Sequence, residues 1–307
     1  MILAGTLADV DFLSALFGPS AFLSWSGGPL HSIVGAIAIG FLVSLLIRTY
    51  AKSRGVILSG VLWWLAPICA ALLHVAMDTL LSSGVTLLWP ISTKRIALDW
   101  APGFDLWILI LLVIGIFLPE LFRLVSDEIG AKSKKPRGQG GAVVTIVLIA
   151  AYFVLRGILH GGAAMTMLER SYAGESPRRV AAFADSMSPF LWHGIIETES
   201  ALHIVQVRSG PLANFDPETA VHIHKPEPSP ILDAAQKTDA AKRFLATARF
   251  PKATVQRETE GFSVELRDLK YDALGQDSRA IVAEINLNPA GEVTLAVLDW
   301  RGQPHKQ

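Results

Sequence analysis

The sequence predicts an α-helical multi-span membrane bundle followed by a small α+β extramembrane domain. Three observations carry that expectation. The 307-residue chain is 51% hydrophobic and 18% charged, with a mean hydropathy of +0.42, too apolar for a single soluble domain. The excess lies in the first half, in runs approaching the roughly 20 residues that a helix needs to cross a bilayer. Past residue 165, proline, charge and short alternating runs take over. The chain therefore divides into a membrane domain over 1–165 and an extracytoplasmic α+β domain over 166–307.

In chain order, Met1–Leu7 is apolar but too short to span. Gly18, Pro19, Gly27, Gly28 and Pro29 make the following stretch a broken, re-entrant segment, tolerated at membrane depth only where it is buried or faces water. Four spans are expected at 32–48, 55–78, 104–124 and 142–162. The single cysteine, Cys69, falls within the second span and has no intramolecular partner. Residues 1–8 lack a basic region, and Asp9 and Asp11 interrupt the apolar run, so no cleavable signal peptide is expected.

Basic residues mark the cytoplasmic side of a membrane protein. Arg48, Lys52 and Arg54 follow the first span; Arg123, Lys132, Lys134, Lys135 and Arg137 follow the third. Both loops are placed inside. The N-terminal segment, the connection from His74 to Asp105 and the C-terminal domain are then outside, in a bacterial-type inner (plasma) membrane. This topology collects His31, His74, Asp78 and His160 at the outer ends of spans, with Asp9, Asp11, Asp99 and Asp105 on the same side.

In the second half, IIETESALHIVQVRSG, GFSVELRDL, RAIVAEINL and EVTLAVLDW read as strands, with a turn at Asn288–Gly291. Residues 230–248 read as one amphipathic helix, capped by Ser229 with Pro230 at its first position. Zero formal net charge gives no reason to expect a nucleic-acid partner. The expected partners are the bilayer and a small-molecule or lipid substrate.

The chemistry candidates are histidines and carboxylates. His74 and Asp78 are four apart on a helix, which puts both on one face. Ionisable groups at a membrane edge are costly and so point to function. Mixed nitrogen and oxygen ligands suit Zn, or Mn or Fe. Asp9 and Asp11 would face one way if extended and diverge on a helix. His31 is delivered by a glycine turn onto the first span. Arg156 and His160 are also four apart; Arg156 can hold a phosphate or carboxylate group, or snorkel to the headgroups. His222 and His224 alternate in VHIHK, and there surface alternation is the simpler reading.

The segments ADVD, GGPLHS, LHVAMDTLLSSGVTLLWPIS and RIALDW, followed by Asp105, resemble the YdjM-type membrane-bound metal-dependent hydrolases. Asp9 and Asp11 match the family's acidic pair, with Ala8 in place of a proline. His31 and Ser32 match the end of its His-Ser motif, and His74, Asp78, Gly84, Trp89, Pro90 and Ser92 match its HxxxD and Trp-Pro-Ser segment. YFVLRGILH and PFLWHG resemble an extended branch with a C-terminal domain. Ser26 and Gly27 stand where the family carries a further His and Arg. The family's usual preceding helix has no counterpart, so the resemblance implies a shortened member or a start upstream of Met1.

Together these readings give a membrane-embedded metal-dependent hydrolase acting on a phosphoester or lipid-linked compound. Metal ligands are expected from Asp9, Asp11, His31, His74 and Asp78, with Asp11 as proton acceptor and Arg156 and His160 as further catalytic candidates. The rival expectation is a non-enzymatic membrane scaffold presenting a C-terminal binding domain. A transporter fits less well, because no inverted repeat is present and the polar residues gather at one face.

Overall fold

The computed structural model describes residues 1–128, 139–210, 215–276 and 280–301. Lys132, Lys134, Lys135 and Arg137 of the expected basic loop lie outside the described residues.

The N-terminal half is helical. Helix α1 (Ile2–Thr6) runs into an 11-residue 3-10 helix, Leu7–Phe17, and then α2 (Pro19–Trp25). A 3-10 turn at Pro29–His31 leads to α3 (Ile33–Ser53). Ser32 caps α3, its hydroxyl accepting from the Gly35 amide at 2.9 Å. Helix α4 (Leu62–Asp78), α5 (Leu106–Glu128) and α6 (Gln139–Leu168) complete the half.

Two of these helices, α3 and the Gly140–Leu168 portion of α6, are long and apolar enough to cross a membrane. Only 28% and 22% of their most apolar windows are buried, whereas the core helix of a soluble protein hides most of its apolar surface. Helix α4 has 17 residues, about 26 Å at 1.5 Å per residue. It starts seven residues later than the expected span, because Gly55 and Gly60 adopt φ of +73° and +102° and the intervening chain is not helical.

Helices α3 and α4 pack closely. A Cβ on Gly40 would lie 2.4 Å from the Ile68 Cα, so only glycine allows this crossing. Ser44 Oγ sits there too, 2.7 Å from Gly40 O and 3.2 Å from Trp64 O. Ala4 and Ala8 join Ala36, Ile39, Ala71, Val75 and Val85 in one core, so the N-terminal segment is folded against this hairpin. Helix α5 packs instead on α6.

The C-terminal half holds two four-stranded antiparallel sheets, each a meander in sequence order. The first comprises β1 (Arg179–Ala184), β2 (Leu191–Glu197), β3 (Ala201–Arg208) and β4 (Val221–His224). The second comprises β5 (Pro251–Glu258), β6 (Gly261–Asp268), β7 (Ile281–Leu287) and β8 (Val293–Trp300). The run IIETESALHIVQVRSG is the β2–β3 hairpin, with its turn after Glu197. The expected 230–248 helix is two helices, α7 (Pro230–Gln236) and α8 (Asp239–Leu245), because Thr238 takes extended dihedrals and caps the second. Ser229 and Pro230 open α7 as expected.

The change of composition near residue 165 falls inside α6. Its last turns supply Leu159, Ala163 and Met167 to the core of the first sheet, with Trp192, Val205 and Val207. The second sheet packs on α7 and α8 through Leu232, Ala235, Phe244, Val264 and Ile285. It also docks on the N-terminal half: Phe22 meets Trp300 at 5.3 Å between ring centroids, and Arg243 Nη1 donates to Ser20 Oγ at 3.1 Å.

Candidate metal centre

The last turns of α4 place His74 and Asp78 one above the other, with His74 Nε2 3.2 Å from Asp78 Oδ2. His31, at the entry to α3, brings Nε2 to 3.2 Å from the same Asp78 oxygen and 3.6 Å from Asp9 Oδ1. Asp9 Oδ1 is 3.4 Å from His74 Nε2. One ligand atom from each of Asp9, His31, His74 and Asp78 lies within 4.8 Å of all the others. Four donors, two nitrogen and two oxygen, thus converge from three separate parts of the chain.

The carboxylates of ADVD divide between two tasks because the segment is a 3-10 helix, not an extended strand. With three residues per turn, side chains two apart diverge. Asp9 reaches the four-donor group, while Asp11 passes behind His31 and sets Oδ2 2.9 Å from its Nδ1. The same oxygen accepts from the Gly27 amide at 2.9 Å. Asp11 is therefore not one of the converging donors; it faces the opposite ring nitrogen, where a carboxylate fixes the orientation of a ligand histidine.

The connection after α4 clamps this arrangement. Thr86 donates its amide to Gly27 O at 2.9 Å, and the Ile33 amide donates to Leu87 O at 3.1 Å. Arg95 donates to Ser26 O and, at 3.4 Å, to Gly84 O. A Cβ on Gly27 would lie 3.0 Å from Arg95 Nη1, and its φ is +62°, so the backbone suits glycine. The segment that delivers His31 is thus tied to the Trp89–Pro90 loop and to Arg95.

The residues present fit a divalent cation. His74 Nε2 and Asp78 Oδ2 are buried with no hydrogen-bond partner, being close but not aligned for one. Buried polar atoms are seldom left so. Tetrahedral ligands about 2.0–2.1 Å from Zn are about 3.3 Å apart, and the four nitrogen–oxygen pairs here span 3.2–3.6 Å. Burial would lower the basicity of His31, but the facing carboxylates of Asp11 and Asp78 outweigh it and push the imidazole up to about 9. The side chain of Asp9 is 44% exposed against 3% for His31, so solvent reaches the group from the Asp9 side.

Residues 1–163, more than half of the chain, match the family model described as YdjM inner membrane protein. The chain belongs to the YdjM family. No curated protein and no solved structure matches it.

The YdjM motifs acquire physical roles on this fold. The His-Ser pair is a candidate ligand followed by a helix cap, and HxxxD supplies two further donors. Ser26 is not among the four donors, so they converge without a histidine at that position. The later aspartate, Asp105, caps α5 by accepting from the Trp107 and Ile108 amides at 2.9 and 3.2 Å, and Tyr152 donates to it.

Arg156 and His160 are not brought to the centre. The Arg156 guanidinium is fully buried and donates to three backbone carbonyls: Trp100 at 2.9 Å, Ser188 at 3.3 Å and Asp185 at 3.3 Å. It joins α6 to the β1–β2 connection and to the segment before α5. His160 lies edge-on to Trp192. Asp99 is held by Arg249 at 2.5 and 2.8 Å, a pairing across 150 residues that no local pattern signals. His222 Nδ1 is 2.7 Å from Nδ1 of the buried His203. That is a direct histidine–histidine contact on adjacent strands, and His224 takes no part in it.

Proposed function

We propose that this YdjM protein is a multi-pass inner-membrane hydrolase whose catalytic cation is held by Asp9, His31, His74 and Asp78. The carrying observation is the convergence of four donors, two of them buried and unpartnered, in a helical half that belongs to an inner membrane family. Helices α4 and α5 serve as further spans beside α3 and α6. The start of α3, the end of α4, the start of α5 and the end of α6 then lie at one membrane level, and Arg48, Lys52 and Arg54 at the opposite level favour an external centre and an extracytoplasmic C-terminal domain.

A Zn-like ion in such a set supplies Lewis-acid polarisation of a substrate oxygen and makes a nearby water more acidic. His31 and His74 contribute neutral nitrogens and Asp9 and Asp78 offset the charge. Asp11, with a side chain only 1% exposed, is withdrawn from water; its part is to orient His31. Asp9, at the solvent edge, is the better placed carboxylate to receive a proton. A centre at headgroup depth suits a phosphoester or lipid-linked substrate.

The test is elemental analysis of the detergent-purified protein together with hydrolysis of fluorogenic phosphomonoesters, phosphodiesters and acyl esters. The expected result is about one equivalent of Zn, Mn or Fe, with hydrolysis abolished by chelation, restored by the metal and absent in Asp78→Asn. Folded protein that takes up no metal from excess Zn²⁺ would leave the membrane scaffold as the better reading.

A further inference from the structure

A cavity of about 500 Å³ lies between the N-terminal segment and the second sheet, and none of the four converging donors lines it. Its volume is within the range of small-molecule sites. Much of its wall is aromatic: Phe12, Phe22, Phe244 and Trp300 line it, and Phe12, Phe22 and Trp300 form a continuous run of ring contacts. Its charged lining is Arg95, Lys270 and Asp268.

Lys270 decides what the cavity suits. The residue is only 7% exposed, and among the described residues no carboxylate lies within 4.0 Å of its ammonium. Its recorded partner is the ring of Tyr271, 4.6 Å from Nζ. The neighbouring Asp268 is already committed, accepting from the backbone amides of Arg249, Phe250 and Lys270 at 2.8, 3.0 and 3.1 Å. The Lys270 Nζ is not among the polar atoms sealed from water, and Lys270 lines the cavity, so the ammonium is open to an incoming anion. Arg95 adds a second cation whose hydrogen bonds go to carbonyls, not to an acid. Among the described residues that line the cavity, two cations stand against one satisfied carboxylate.

The apolar wall says what the anion is attached to. Phe12 is 52% exposed and belongs to the 3-10 helix whose Leu13, Leu16 and Phe17 are 56%, 81% and 82% exposed. Phe12 thus links the cavity to an outward apolar face of the kind that lies against lipid. We propose that the cavity is a binding site for an anionic amphiphile, with a phosphate or carboxylate head on Lys270 and Arg95 and an apolar tail along Phe12, Phe22 and Trp300. This site stands on its own residues and does not depend on the metal centre.

The test uses a decyl phosphate carrying a diazirine in its tail, photo-cross-linked to the full-length purified protein and mapped by mass spectrometry. Cross-links are expected in the segments holding Phe12, Phe22 or Trp300. They should be competed by unlabelled decyl phosphate but not by equal concentrations of decanol or inorganic phosphate. Labelling should fall at least tenfold in Lys270→Gln, recover in Lys270→Arg, and persist both in chelator and in Asp78→Ala. That persistence separates this site from the metal reading. Equal competition by decanol would mean that the charge is not read, and equal competition by inorganic phosphate that the tail is not. Either result, or unchanged labelling in Lys270→Gln, overturns the proposal. Should Lys270→Gln fail to fold by circular dichroism, Thr247→Trp fills the same cavity and must abolish labelling; unchanged labelling there overturns the proposal as well.

Discussion

Arg156 and His31 are both buried ionisable side chains beside an apolar helix, and the protein handles them in opposite ways. The Arg156 guanidinium spends Nε, Nη1 and Nη2 on three carbonyls and lies 4.7 Å from the Trp192 ring centroid. His31 sits among three carboxylates and a second imidazole, in a group where four atoms are buried without a hydrogen bond. A saturated buried network is part of the architecture, because each donor offsets the desolvation of an acceptor. An unsaturated one of this donor chemistry suits a cation. The difference separates the residues that hold α6 to the first sheet from those that can hold a cation.

The sharpest way to break this contrast is Arg156→Met. Three carbonyls lose their partner, and a loss of about 3 kcal/mol or more in unfolding free energy is expected, measured by thermal or denaturant unfolding. Metal content per folded molecule should stay the same. A stable variant with less metal would put Arg156 in the wrong class.

Asp11→Asn probes the boundary between the two classes, since Asp11 touches His31 without joining the converging donors. Outer partners of ligand histidines are worth about 10–100-fold in metal affinity. A drop of that size in a competitive chelator titration, with the bound metal still at full stoichiometry, is the expected outcome. Complete loss of binding would instead make Asp11 a ligand.

Arg249→Lys is the mildest. It removes the two-pronged contact with Asp99, which ties the second sheet to the connection after α4, while keeping the charge. A cost of about 1–2 kcal/mol is expected, together with faster proteolysis near Ser82 and no change in metal affinity.

What the sequence made legible follows range and periodicity. The helical repeat places His74 and Asp78 together without knowledge of any partner, and Ser229–Pro230 announces α7 through local capping chemistry. The 3-10 helix of Leu7–Phe17 was not legible, because runs of that length are uncommon, and with it went the separation of Asp9 from Asp11. The break at Lys237–Thr238 was hidden because the apolar spacing carries across it; only the Thr238 cap reveals two helices. Arg156 was open to several readings because its partners are carbonyls at 100, 185 and 188, and carbonyls leave no signature in residue type. Lys270 and Arg95 are ordinary in sequence, and only the fold places both on one cavity, the first with no carboxylate of the described residues beside it and the second bound to carbonyls.

Asp9, His31, His74 and Asp78 are proposed to hold one cation. X-ray absorption spectroscopy of the Zn-loaded, detergent-purified protein reads this directly. The expected spectrum has only nitrogen and oxygen neighbours at about 2.0–2.1 Å, with the outer scattering of two imidazoles, falling to one imidazole or to no bound Zn in His74→Ala. A spectrum without imidazole scattering, or one unchanged by His74→Ala, would contradict the assignment.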